Sequence, residues 1–332
     1  MEKVKLSHGG GGEVMQELIA LVIKNFSQKK VPGGSGLDAL DDAAIIPFAG
    51  KSLAFTTDAY VVKPIFFPGG DIGKLSVCGT VNDLAMMGAK PIALSSSFVV
   101  GEGLTFDALK EISESMNRAC EEVPVPIVTG DTKVIEDIEL IITTSGLGAA
   151  EKPIADSGME VGDKIIINGS VGDHGIAIMA SREGIKFDTG LRSDCAQLWT
   201  MVEPILEYDI HAMKDPTRGG LANAINEMAA KSSVGVLLHE DSIPIRDEVR
   251  AASEMLGIDP FSVANEGKAV IAVSEEDAER VLAALKKTPQ GRGAAIIGTV
   301  TNEKAGRVMM ETVIGGKKIL GRPSGDPVPR VC

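Results

Sequence analysis

Apolar residues fall in two rhythms along the chain, and the rhythm changes often. Met15, Leu18, Ile19, Val22, Ile23 and Phe26 recur at three- and four-residue steps, which predicts a helix over 14–26 with one apolar face. Short β-like runs follow at 43–46 and 52–57, then a helix over 72–87 closed by Gly88 and a strand at 91–100. Leu109, Ile112, Met116 and Ala119 mark a further amphipathic helix, ahead of strand candidates at 125–129 and 138–146. Helix and strand alternate, so the first half reads as mixed α/β. The stretch 151–163 carries Pro153, Gly158 and Gly162 without periodicity, and a domain boundary is expected there. Beyond it, strands are expected at 164–168, 234–238 and 269–273, with helices at 175–183, 194–207, 221–230 and 275–286, a second α+β domain. The last twelve residues hold Pro323, Gly325, Pro327 and Pro329, a composition that resists helix and sheet and behaves as a semi-rigid arm. A thiol, Cys332, stands at its tip.

Composition narrows what these elements serve. A chain of 332 residues is long enough for two domains with their own cores, and 44% hydrophobic with 24% charged residues is the balance of a globular protein. A formal net charge of -13 argues against a nucleic-acid surface, which needs clustered Lys and Arg. It is compatible with a nucleotide met locally, because Mg2+ bridges carboxylates to phosphate oxygens. Residues 1–12 carry no apolar targeting core, and no apolar run approaches the roughly 20 residues that span a bilayer, so no membrane contact and a cytoplasmic location are expected. Cys78, Cys120, Cys195 and Cys332 show no paired spacing, which fits free thiols in a reducing compartment better than disulfides or zinc.

Candidate chemistry gathers at the ends of apolar runs. Asp41 and Asp42 precede the run 43–46, Asp58 follows 52–57, Asp131 follows 125–129, and Asp83 sits in the polar break Asn82-Asp83 of a helix. Singly, each suits a turn or cap. Jointly, strand-end carboxylates of one sheet converge where a cation carrying a triphosphate would lie. Gly9, Gly10, Gly11 and Gly12, ahead of a helix, offer unshielded N–H groups for phosphate, or simply a flexible terminus; no Walker Gly-Lys-Ser/Thr follows. Gly69, Gly70 and Asp71 read as a loop and helix cap. Lys214 to Gly220 combines opposite charges, a turn and paired glycines before a helix, where Arg218 is equally suited to a turn or to gripping a phosphate. A terminal residue is usually frayed and inert, but Pro327 to Arg330 stiffens the approach to Cys332, and the Arg330 charge favours its thiolate. Cys78, Cys120 and Cys195 sit in apolar or helical contexts and read as core. His8 and His174 form no ligand pair, leaving a metalloenzyme or Ser-His-Asp reading little support.

The string PIFFPGGDIGKLSVCGTVNDLAMMGAKP from Pro64, with TTD at Thr56, GDTKV at Gly130, GDHG ending after His174, DPTRGG at Asp215 and the terminal PRVC, resembles the HypE family of hydrogenase-maturation proteins along essentially the whole chain. Val331 stands where that family usually has Ile, a conservative departure. The resemblance implies a PurM-like, AIR synthetase-related two-domain fold of α+β class. The expected parts are 1–36 (glycine segment and helix), 37–150 (ATP-binding and dimerisation, its sheet joining a second copy into a barrel-like dimer), 151–320 (α/β sandwich) and 321–332 (tail). It implies ATP contacts at Gly9, Gly10, Gly11, Gly12, Asp41, Asp42, Thr57, Asn82, Asp131, Thr132, Asp215 and Arg218, and Mg2+ ligands Asp42, Asp58, Asp83 and Asp131. Catalytic roles then fall to Cys332, Lys133 and Glu266.

The implied activity is ATP-dependent dehydration of a carbamoyl group on Cys332 to a thiocyanate, the cyanide source for [NiFe]-hydrogenase. The implied partners are the carbamoyltransferase HypF, which loads the thiol, and the HypC-HypD iron scaffold, which accepts cyanide. A related enzyme that phosphorylates free selenide or thiamine monophosphate is the nearest alternative, although no N-terminal Cys or selenocysteine motif is present. A non-catalytic carrier, with Cys332 docking a partner, is the other.

Overall fold

The computed structural model describes residues 4–5, 8, 10, 12–182 and 190–323. In chain order, the elements of the first half are α1 (Gly12–Ile23), β1 (Ala44–Phe48), β2 (Lys51–Tyr60), β3 (Phe66–Phe67), β4 (Gly70–Asp71), α2 (Ile72–Met86), β5 (Lys90–Gly101), α3 (Phe106–Glu122), β6 (Ile127–Ile135) and β7 (Leu140–Ala150). The second half has β8 (Lys164–Ile167), α4 (Asp173–Arg182), α5 (Trp199–Val202), β9 (Ile210–Lys214), α6 (Gly220–Ser232), β10 (Gly235–His239), α7 (Asp247–Leu256), β11 (Val270–Val273), α8 (Ala278–Lys286), β12 (Ala295–Thr301), β13 (Val308–Glu311) and β14 (Lys317–Ile319).

Two main sheets organise the chain. The first runs β1-β2-β7-β5-β6, antiparallel except for the parallel pair β5/β6, and it is open, with β1 and β6 as edges. The second runs β14-β13-β10-β12-β8-β11-β9. Under the first sheet lies α2, whose sequence is apolar or small on nearly every face and which is accordingly buried all round. Asp71 caps it, its carboxylate accepting from the N–H groups of Gly73 (2.7 Å) and Lys74 (3.1 Å). Gly79 lets it lie against β2: a Cβ there would crowd the Tyr60 hydroxyl oxygen. A single apolar cluster joins α2 and α3 to Ile166, Ile176, Trp199 and Met213 of the second half, so the two sheets share a continuous core.

The strongly periodic segments sit where the pattern predicts, with three corrections. The expected helix over 194–207 is realised only as α5 and a single 3-10 turn at Glu203–Ile205; residues 190–198 carry neither helix nor strand, and Pro204 keeps α5 from extending as a regular helix. Two strands run past their expected ends, β2 to Tyr60 and β6 to Ile135, so Asp58 and Asp131 lie within strands and not after them. The short elements β9, α7, β12, β13 and β14 were not anticipated. Of the tail, only 321–323 are described; Glu183, Arg330 and Cys332 lie outside the described residues. Among the described residues no helix is long and apolar enough to cross a membrane.

Candidate active site

A cleft of about 1570 Å3 opens between the halves, walled by α1, β1, β2, one edge of α2 and the turn between β9 and α6. Alternation along β2 aims Thr56, Asp58 and Tyr60 at α2. There Thr56 Oγ1 donates to Asp83 Oδ2 at 2.7 Å, and the Tyr60 hydroxyl donates to Asp58 Oδ2 at 3.3 Å. Asp42, just ahead of β1, accepts from Lys214 Nζ at 2.6 Å through Oδ1, while its Oδ2 is buried with no partner among the described residues. Lys214 also stands 3.1 Å from Asp156 and 3.7 Å from Glu227. Lys231 of α6 reaches Asp156 at 2.8 Å, Asp41 at 3.5 Å and the Leu40 carbonyl at 2.6 Å.

The turn that carries Asp215 and Arg218 depends on two glycines in left-handed conformation, Gly219 (φ 76°) and Gly220 (φ 59°), and a Cβ on Gly220 would clash with the Val263 carbonyl oxygen. Arg218 is exposed to the cleft. Glu266 faces the same space from the second half and is only 7% exposed.

Negative charge is in excess here. Burial, with Asp58 and Asp215 adding repulsion, pushes the Asp83 carboxyl well above the ordinary range; burial and Asp215 do the same to Glu266. Burial, reinforced by Asp42, raises Asp215 to about 8, and burial with Asp156 raises Asp41 to about 6. Burial opposes the charge on Lys214, but Asp42, Asp156 and Glu227 outweigh it and keep the amine protonated. A cation entering this space would relieve the repulsion. No group of three or more His, Cys, Asp or Glu among the described residues is disposed to enclose a metal ion. Mg2+ asks for less, because it commonly takes one or two carboxylates and completes its shell with water and phosphate oxygens. The unpartnered Asp42 oxygen and the Asp58 and Asp83 carboxylates suit that chemistry.

The expected site residues therefore divide. Asp41, Asp42, Thr57, Asp58, Asp83, Asp215, Arg218, Glu266, Gly10 and Gly12 line the cleft. Gly9, Gly11 and Cys332 lie outside the described residues. Asn82, expected against a nucleotide, is not among the residues lining the cleft; its amide bonds the backbone of Ala196, Leu198 and Glu266. Asp131, Thr132 and Lys133 are likewise not brought there within one chain. They are exposed on β6, at the far edge of the sheet from β1 and β2, with Lys133 Nζ 2.7 Å from Asp131 Oδ2. Sequence reading missed Lys214 as a site residue, and with it Asp156, Glu227, Lys231 and Arg322. Lys214 adjoins the Asp215 motif, the one hint available; the others are placed only by the fold.

Comparison with known proteins identifies the family and the fold. The family model "AIR synthase related protein, N-terminal domain" matches residues 40–150, and its C-terminal counterpart matches 160–311. Carbamoyl dehydratase HypE of Cupriavidus necator is 44% identical over 99% of this chain and 95% of that protein. The chain belongs to the HypE family. The HypE fold is shared in three dimensions as well. The crystal structure of a HypE-HypF complex superposes with a TM-score of 0.85 at 39% identity, covering 94% of this chain and 100% of that one. That of HypE in complex with ATP gives 0.83 at 41% identity, covering 99% and 100%. The two sheets are accordingly the two domains of a PurM-like fold.

Proposed function

We propose that this HypE-family chain is an ATP-dependent carbamoyl dehydratase that converts an S-carbamoyl group on Cys332 into a thiocyanate, a cyanide donor for [NiFe]-hydrogenase maturation. The observation that carries this reading is the cleft itself. Buried carboxylates short of counter-charge lie at one wall, the buried Glu266 lies at another, and Arg322, at the root of the tail, forms part of the rim. Nine residues follow Pro323, an extended reach of roughly 30 Å, enough for the terminal thiol to turn back into the cleft. A HypE crystallised with ATP and one crystallised with HypF support ATP as co-substrate and a HypF-type carbamoyltransferase as the loading partner. A HypC-HypD scaffold as cyanide acceptor and a homodimer complete the proposal.

The chemistry follows from leaving-group ability. The oxygen of S-C(=O)-NH2 departs poorly until the γ-phosphoryl of ATP is transferred to it, giving ADP and, with release of one nitrogen proton to solvent, a phosphorylated imidate. Loss of the remaining nitrogen proton then expels phosphate and leaves S-C≡N. Asp42, Asp58 and Asp83 would hold Mg2+, which supplies neutralisation of phosphate charge when bound. Arg218 grips the phosphates, and Glu266 takes the nitrogen proton. Lys133 holds the phosphate or the substrate oxygen, supplied by the second copy of the dimer, since its own strand lies away from the cleft.

Intact-mass measurement on chain incubated with a carbamoyltransferase, carbamoyl phosphate and ATP tests this directly. The expected result is gain of one carbamoyl followed by ATP-dependent loss of one water, both absent in Cys332→Ala. Glu266→Gln is expected to gain carbamoyl and bind ATP yet retain the water; normal water loss in that variant removes Glu266 from the role of base.

A further inference from the structure

The buried segment beside the cleft has a polar architecture that nucleotide binding does not explain. Asn82 precedes Asp83 on α2, but a helical step of about 100° sends the two side chains different ways. Asp83 faces the cleft, whereas Asn82 Nδ2 donates to the carbonyls of Ala196 (3.1 Å) and Glu266 (3.3 Å), and its Oδ1 accepts from the Leu198 N–H at 2.8 Å. From the other side, Asp194 Oδ1 accepts the Glu266 N–H at 3.1 Å, and Asp194 Oδ2 holds Lys268 Nζ at 2.8 Å. The Glu266 carbonyl takes a second bond, from the Ala196 N–H at 3.4 Å. The Glu266 main chain is thus held on both its donor and its acceptor. Asn82 is 1% exposed and Lys268 8%, so these bonds are made out of water, where an unmade one costs most. Gly267 closes the arrangement, for a Cβ there would run into the Asp194 carbonyl oxygen.

We propose that Asn82 and the Asp194–Lys268 pair are positioning residues that set Glu266 across the cleft from Asp83. The proposal deepens the dehydratase reading and rests on Glu266 being the base in it. One helix carries both Asp83 and Asn82, so the carboxylate on the phosphate side and the main chain behind the base are referenced to the same rigid element. Loss of that reference by as little as about 1 Å slows proton removal without touching the nucleotide.

Single-turnover water loss from the pre-carbamoylated full chain, read by intact mass beside the ATP Kd, tests this. Asn82→Ala is expected to slow water loss by about tenfold or more while the ATP Kd stays within about twofold. A general loss of structure does not separate the two readouts. A rate within about twofold of the parent overturns the proposal, and so does ATP affinity falling in step with rate, which would return Asn82 to the nucleotide. Asp194→Asn weakens the hold from the opposite side, is expected to give the same split, and decides the matter if Asn82→Ala does not fold. Glu266→Gln is run alongside. Full-rate water loss there sinks the base assignment itself, whereas a Glu266→Gln that retains its water, together with an unimpaired Asn82→Ala, sinks only the positioning role.

Discussion

Each carboxylate in the cleft gives up water on folding, and the two nearby lysines already serve Asp41, Asp42, Asp156 and Glu227. Asp215, raised to about 8 chiefly by burial, shows the consequence. Its folded-state pKa lies above its unfolded value of about 3.8, so the folded chain keeps a proton that the unfolded chain releases. The stability tied to this group is complete below the unfolded pKa and is lost as pH rises to about 8. Without divalent cation, the melting temperature is therefore expected to fall across that window, and Asp215→Asn is expected to flatten the fall. An unchanged slope in that variant would assign the trend to other groups. Asp41 and Asp42 were legible as turn residues ahead of an apolar run and Asp215 as part of a charged turn with paired glycines, whereas Asp58, expected at a strand end, lies within β2. The fate of Asn82 was not legible, since one residue of helix decides which side of α2 a side chain serves. Nor were the partners of Lys214 legible, because Asp42, Asp156 and Glu227 meet it only in the folded chain.

At the level of elements, long periodic segments and compact apolar runs such as β8, β10 and β11 were readable, and segments with neither were not. β7 alternates buried and half-buried positions over its whole length, and α3 shows a clear apolar stripe, so each declares its own period. β9 and β13 offer five and four residues, too few to reveal a period. The segment 194–198 looked helical from its apolar spacing, but its backbone groups are taken by Asn82 and Glu266, a tertiary override of local preference. The turn before α6 gives an element-scale prediction. Gly220→Ala forces a side chain into a left-handed site and against the Val263 carbonyl, a strain of about 2–4 kcal/mol. Urea unfolding is expected to show a loss of that order, with ATP binding weakened because Asp215 and Arg218 ride on the same turn. Unchanged stability would mean that the backbone there relaxes freely.

For the whole molecule, the decisive question is where Asp131, Thr132 and Lys133 act. A lone chain leaves β6 as an edge strand with Val128 62% and Val134 68% exposed, an apolar edge that a second copy would cover. In such a dimer one copy lends these residues to the cleft of the other, and mixing tests it without a structure. Glu266→Gln and Lys133→Ala are each expected to be inactive alone. If each cleft takes Glu266 from one copy and Lys133 from the other, a mixed dimer contains one cleft with both defects and one with none. Equal amounts, allowed to exchange, then restore about a quarter of parental water loss, since half the dimers are mixed and half of their clefts are intact. If both residues served the same copy, every cleft would carry a defect and mixing would restore nothing. A β6 variant with Val128→Asp and Val134→Asp, expected to sediment as a monomer, should abolish the rescue; a monomer that still dehydrates at the parental rate would exclude β6 from the active site.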